Sequence, residues 1–200
     1  MIKRARRLIG TGTTDSNGQV VIEYTGTGAG RVQLTAEAGD LISDTYEILD
    51  ATFLDKGVTG DKNNNWTNYS NRATITTDDT GTTVTGYASS NAYYICNADN
   101  AFTFTDYQCE FDVLEAAAGV RWYHQNEGGT NENIFTLNTY LTGSCHVKIT
   151  VKDGVATLYV DDVQRTTTNL TVDSPYEVAF RFTNGATNQI KYANFIIYPI

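Results

Sequence analysis

Cysteine, proline and histidine are scarce in this chain, and each scarcity excludes something. The three cysteines are Cys96, Cys109 and Cys145. No C-x-x-C occurs, and only Cys145 and His146 are adjacent, so no zinc-type ligand spacing is present. Cys96 and Cys109 on neighbouring strands would be positioned to pair; otherwise all three are small buried thiols. No apolar run approaches the ~20 residues of a membrane-spanning helix. Leu8 and Ile9, which follow the basic start, are far too short for a secretory core, so no export signal is expected. Almost nothing shows a 3.6-residue apolar period, which argues against a helical protein. Positive charge is also short, with 14 Lys and Arg against 23 Asp and Glu and a net charge of −9. Four of those cations (Lys3, Arg4, Arg6 and Arg7) sit in the first seven positions, so the remaining body carries about −13. A body this acidic repels phosphate backbones, and nucleic-acid binding is not expected. No Ser/His/Asp constellation and no phosphate-cradling glycine loop is evident.

What is present is strand chemistry. Thr, Asn, Gly and Tyr are abundant, with 13 Tyr, while only two prolines interrupt the chain. Residues 146–164 carry the clearest signal. Val147, Ile149 and Val151 alternate with polar residues, then Asp153-Gly154 intervenes, then Ala156, Leu158 and Val160 alternate again. Two period-2 runs joined by Asp-Gly predict a hairpin, because both residues tolerate the positive φ of a type I′ turn. Asp161-Asp162 predicts a second turn. Further strands are predicted at 73–77, 82–88, 92–97, 102–114, 119–125, 133–140, 176–183 and 189–198. Many short strands separated by turn residues predict an all-β antiparallel sandwich. Before them, 19–24, 31–38 and 41–49 read as strands separated by turns at 15–18, 25–30 and 39–40.

Two resemblances add to this. The pieces Thr14-Asp15-Ser16-Asn17-Gly18-Gln19, Tyr24-Thr25-Gly26-Thr27-Gly28-Ala29-Gly30 and 36–42 resemble the second half of a bacterial immunoglobulin-like domain, of the kind found in invasins, adhesins and phage tail proteins. The match covers ~40 residues, about half of what a closed sandwich needs. The missing strands then come from another chain, the segment packs on the following unit, or the chain is a fragment. Residues 50–200 resemble the concanavalin A-like lectin/glucanase superfamily, including laminin G-like modules, through Cys109-Glu110-Phe111-Asp112-Val113, the 147–163 hairpin and Phe195-Ile196-Ile197-Tyr198. The expected organisation is a basic arm (1–10), a partial immunoglobulin-like β segment (11–49) and a jelly-roll β-sandwich (50–200). The resemblance implies a non-enzymatic module that binds a cell-surface glycan on a virion or an adhesin, with other virion or surface proteins as partners and the possibility of a homo-oligomer. The alternative is a structural protein that makes only protein contacts.

A third reading is catalytic. Glu110-Phe111-Asp112-Val113-Leu114-Glu115 resembles the E-x-D-x-x-E signature of laminarinase-type glucanases. The resemblance makes Glu110 the nucleophile, Asp112 its electrostatic helper and Glu115 the acid/base. On a plain strand Glu110 and Glu115 face opposite sides, so only a bulge near Leu114 brings them together. The competing expectation is that Glu110 and Asp112 are solvent-face carboxylates, with Arg121 beside Asp112 across a turn at 116–118. The glycan site is expected on Arg121, Tyr123, Gln125 and Asn126, joined by Asn138 and Tyr140 from the next strand. An aromatic ring meets the C–H face of a sugar, while amides and charged groups meet its hydroxyls. Trp66, Tyr69, Tyr93 and Tyr94 are further aromatic candidates on loops. Asp61-Lys62-Asn63-Asn64-Asn65-Trp66 has D-x-N-x-N spacing, but Trp66 replaces the required glycine, so it is not an EF-hand. Asp78-Asp79 or Asp161-Asp162 are the places where calcium is possible; no other cofactor is expected. His124 and His146 stand alone in sequence.

Overall fold

The structure, a computed structural model, describes residues 8–22, 30–43, 45–50, 53–59, 66–69, 71–87, 89–96, 105–126, 131–171, 176–183 and 187–200. The expected Asp61–Asn65 loop lies outside the described residues, as do 23–24 of the strand expected at 19–24, while 19–22 are described and form no strand. The first strands are β1 (Gly30–Leu34), β2 (Glu37–Ala38), β3 (Leu41–Ile42) and β4 (Tyr46–Asp50). They form one interrupted hairpin around Gly39 and Asp40, with β1 on β4 and β2 on β3. Next come β5 (Phe53–Asp55), β6 (Trp66–Tyr69), β7 (Thr74–Thr77), β8 (Thr82–Thr85), β9 (Ala92–Cys96) and β10 (Tyr107–Val113). After them follow β11 (Val120–Asn126), β12 (Asn131–Thr136), β13 (Cys145–Lys152), β14 (Val155–Val160), β15 (Val163–Asn169), β16 (Tyr176–Phe182) and β17 (Gln189–Pro199).

From β5 onward the strands build two antiparallel sheets. The larger runs β15-β14-β13-β10-β17-β8-β7, with β5 also on β17. The smaller runs β12-β11-β16-β9-β6. β17 shares one edge between two partners, β8 at Gln189–Tyr192 and β5 at Phe195–Ile197. A register shift against β10 between Ala193 and Ile196 lies where they meet, with Asn194 at φ 52°. The expected Asp-Gly hairpin is present: Asp153 and Gly154 both have positive φ, at 50° and 72°. Asp161 and Asp162 repeat the device at 51° and 61° and lead into β15. β15 reads V-Q-R-T-T-T-N, an edge strand whose sequence carries no apolar alternation to mark it.

The core lies between the two sheets. Alternate residues Tyr107, Cys109, Phe111 and Val113 of β10 point inward, as do Val120, Trp122 and His124 of β11 and Val178, Phe180 and Phe182 of β16. Two of the expected loop aromatics belong here. Trp66 stacks on Tyr94 with ring centroids 4.5 Å apart, and both are buried. An indole this large contributes most by leaving water, and each good aromatic pair adds ~0.5–1.5 kcal/mol. Asp55 is buried beside them. Its carboxylate accepts hydrogen bonds from Trp66 Nε1 at 2.7 Å, Tyr192 OH at 2.9 Å and Gly57 N at 2.8 Å.

All three cysteines are free thiols. Cys96 lies on the smaller sheet and Cys109 on the larger, so they are not neighbours on one sheet. Burial pushes both thiols well above their ordinary value, which suppresses the reactive thiolate. A thiol reagent added to the native protein is expected to modify Cys145 alone, and all three after unfolding. Rapid native labelling of Cys96 or Cys109 would contradict this packing. Because pairing within the sandwich begins at β5, deleting residues 1–49 is expected to leave a single cooperative melt. Loss of that cooperativity would show that the first strands belong to the same folding unit.

Candidate ligand-binding site

The outer face of the smaller sheet gathers groups from four strands. Cross-strand register sets the rows. Thr136, Arg121, Arg181 and Tyr93 form one row from β12 to β9. Asn133, Tyr123, Ala179 and Ile95 form the next. Side chains in a row belong to directly opposed residues, within reach of one another. A bulge in β12 between these rows brings Asn133 opposite Tyr123. Within this patch the Tyr93 and Tyr123 rings sit 5.3 Å apart, tilted by 57°. The Arg181 guanidinium lies 5.8 Å from both ring centroids, and its Nη1 donates to Asn133 Oδ1. Cation–π contacts and that hydrogen bond hold the guanidinium in one orientation. Ala179, the small residue between Tyr123 and Ile95 in its row, is buried.

The site expected from sequence is thus partly assembled and partly revised. Arg121 is half-buried on this face, as its strand parity predicts. Tyr123 is also here, but it is only 3% exposed and packs with Ile95, Ala179 and Tyr93 as a second apolar cluster. It is a supporting ring and not an open platform, and burial raises its phenol pKa. Gln125 and Asn126 continue β11, and their side chains lie outside what is described. Asn138 and Tyr140 do not join the face through strand pairing. β12 ends at Thr136, and Leu137–Thr139 is a 3-10 turn, so strand parity stops before them. Tyr140 packs against the main core. Half-buried Tyr93 takes the outward aromatic position, while Tyr94 is core and the Tyr69 side chain is outside the description. Sequence reasoning missed Arg181 and Asn133. The alternation Glu177, Ala179, Arg181 against Val178, Phe180, Phe182 showed which face Arg181 takes, but no sequence signal names the strand beside it.

The outer face of the larger sheet carries the other expected constellation. Glu110 Oε1 accepts from Gln108 Nε2 at 2.7 Å and from Tyr198 OH at 2.6 Å. Glu110 Oε2 lies 3.3 Å from His146 Nε2, and His146 Nδ1 lies 2.8 Å from Asp112 Oδ1. Asn194 Nδ2 donates to Asp112 Oδ2 at 2.7 Å. Asp112 is thus not beside Arg121. β10 and β11 are consecutive but belong to different sheets, and the chain arches across the sandwich between them. Glu110 is buried, contrary to the solvent-face expectation, because Tyr198, Gln108 and His146 close over it. Glu115 follows the end of β10 in a bend and is exposed. The only irregularity in β10 pairing falls between Glu110 and Asp112 against β17, not near Leu114. The two glutamates are therefore not brought together as a glucanase pair.

His146 has a carboxylate on each ring nitrogen. The hydrogen bond to Asp112, and then the one to Glu110, pushes its pKa up to about 9 from the ordinary 6.5. The folded state therefore holds this proton more tightly than the unfolded chain does. The resulting stabilisation is complete below about pH 6.5 and is lost as pH rises through about 9. Melting temperature is expected to fall across that window in the wild type, and less in His146→Gln. Equal slopes would remove His146 as the source. The other histidine, His124, is fully buried against Tyr107, and burial pushes it down to about 3, so it stays neutral.

Asp78, Asp161 and Asp162, three of the four carboxylates considered for calcium, are engaged within the chain. Asp78 accepts from Thr80 N, Thr80 Oγ1 and Gly81 N and pairs with Lys191 at 2.9 Å. Asp161 accepts from His146 N, and Asp162 pairs with Lys148 at 2.8 Å. Among the described residues no group of three or more His, Cys, Asp or Glu is arranged to hold a metal ion.

No family model matches this chain, and no curated protein does. Solved structures do. A Bacillus subtilis protein of unknown function with a galectin-like fold superposes with a TM-score of 0.50 at 8% identity, over 74% of this chain and 95% of that one. Identity that low establishes fold alone: the chain is a galectin-like antiparallel β-sandwich. The carbohydrate binding module CBM66 from Bacillus subtilis gives 0.46 at 12% identity, covering 67% of this chain and 95% of its own. A family 29 carbohydrate binding module complexed with cellulohexaose gives 0.44 at 12%, covering 73% and 88%. Both of these scores are too low to bear on function.

Proposed function

We propose that the protein is a non-enzymatic carbohydrate-binding module whose saccharide lies across the outer face of the smaller sheet. The observation that carries this reading is the juxtaposition of Tyr93, Arg181, Asn133 and Arg121 on that face. Tyr93 offers a ring to the C–H face of a sugar, backed by Tyr123. Asn133, Arg121 and Arg181 offer an amide and two guanidinia to its hydroxyls. Arg181 is already oriented by its two rings and its asparagine, which lowers the ordering cost of binding. The opposite outer face is a self-satisfied carboxylate–histidine network, and its Glu110 and Glu115 stand apart, which supports a binding role over hydrolysis. The resemblance of 11–49 to immunoglobulin-like segments of adhesins and phage tail proteins supports a virion or cell-surface setting.

A glycan-array screen of the full chain, with and without calcium, tests the reading. Binding to a defined set of saccharides is expected, unchanged by chelation. Binding only with calcium would require a cation site outside the described residues. No binding to any glycan would favour the alternative, a structural protein that makes only protein contacts.

A further inference from the structure

Resting on that reading, we infer that the saccharide is anionic, and that Arg121 and Arg181 together form a subsite for its carboxylate or sulfate group. The two residues are direct cross-strand partners on β11 and β16. Opposed residues on one face bring their side chains within ~4.5–5.5 Å at Cβ, and like charges so placed destabilise a sheet. This chain has 23 carboxylates against 14 cations, so neutralising partners are plentiful. Yet among the described residues neither guanidinium is paired with a carboxylate. Arg181 commits Nη1 to Asn133, while its buried Nε finds no acceptor among the described residues. Glu177, the acid on the same face of β16, is four residues from Arg181 with Ala179 between them, ~13 Å along the strand. It pairs in register with Gln125 and not with Arg121.

An external anion resolves the repulsion. A guanidinium presents a fork of N–H donors that matches the two oxygens of a carboxylate or sulfate, and two adjacent forks hold such a group from both sides. Tyr93, next to Arg181 in the same row, then meets the sugar ring that bears the charge. In a body of net negative charge an isolated positive pair also selects. Acidic saccharides are repelled elsewhere and focused here.

Binding isotherms on the full chain test this with four probes: trigalacturonate, its neutral methyl ester, a sulfated galactan oligosaccharide and the same oligosaccharide desulfated. At least one charged probe is expected to bind about tenfold or more tightly than its neutral counterpart. Which one it is distinguishes a carboxylate from a sulfate ligand. Raising NaCl from about 50 mM to about 500 mM is expected to erode that preference and leave the neutral probe unchanged. Arg121→Gln, whose folding is checked by its melt, is expected to erase the preference, as is Arg181→Gln. The salt and neutral-probe arms need no variant, so they decide the matter even if one arginine is required for folding. Neutral probes that bind as tightly as charged ones would overturn the anionic subsite and leave the carbohydrate reading intact. Failure of all four probes, together with an empty glycan array, would overturn both.

Discussion

Replacing Asp55 with alanine is expected to cost about 3–5 kcal/mol of unfolding free energy, the largest loss from any single polar side chain among those described. Asp55 lies at the end of β5, in register with Phe195 of β17, and its carboxylate is buried. It accepts hydrogen bonds from the Trp66 indole, the Tyr192 hydroxyl and the Gly57 amide. Alanine removes the acceptor and leaves three donors in an apolar interior. Each orphaned donor costs ~1–3 kcal/mol, and the three do not add fully because the site relaxes. The loss also frees Trp66, whose ring stacks on Tyr94 and meets Phe195 edge-on at 4.9 Å. Asp55→Asn keeps one acceptor but turns an amide N–H₂ toward a donor, so about half the loss is expected. Urea unfolding of the two variants checks the ordering. An Asp55→Ala cost below about 1 kcal/mol would show that the carboxylate does not hold β5 and β6 to the sandwich.

Tyr93→Ala is expected to weaken binding of a saccharide found by the array by at least about tenfold, about 1.4 kcal/mol, with little change in melting temperature. Tyr93 is half-buried, on the rim of the face, so its removal deletes contact area without opening the main core. Tyr123→Ala is a poorer probe of binding. Tyr123 is nearly buried in the second apolar cluster, and its loss unseats Tyr93 and Arg181 as well. The control is Lys148→Ala on the opposite sheet, where Lys148 pairs with Asp162 and lies 4.9 Å over the Tyr159 ring. Calorimetric titration should show Tyr93→Ala weakened and Lys148→Ala unchanged. A weakened Lys148→Ala beside an unaffected Tyr93→Ala would move the site to the larger sheet.

Sequence carried the strand phases well and the sheet assignments poorly. The alternation 147–151, Asp153-Gly154 and 156–160 specified a hairpin because turn geometry and burial are both local. Likewise Val120, Trp122 and His124 could be separated from Arg121 and Tyr123 by parity alone. What parity cannot say is which strand lies alongside. Closeness in sequence suggests that Arg121 lies beside Asp112, but β10 and β11 belong to opposite sheets. Its true neighbour, Arg181, is 60 positions away. Sequence does not mark Trp66 and Tyr94 as core rings, because β6 is short and Ala92-Tyr93-Tyr94-Ile95-Cys96 has no polar–apolar alternation to set a face. Their burial comes from the opposite sheet, which no local window contains. Tyr140 shows the same limit at the end of β12, where a strand pattern continues in sequence after the backbone has turned into a 3-10 step.

The central claim is that a saccharide lands on the outer face of the smaller sheet. Backbone chemical-shift mapping of the wild-type chain, titrated with the tightest array ligand, tests it most directly. The account predicts saturable shifts clustered on β9, β11, β12 and β16 around Tyr93, Arg121, Asn133 and Arg181, with β13 and β14 unmoved. Shifts centred on Glu110, His146 and Tyr198 of the larger sheet, with the smaller sheet silent, would contradict it.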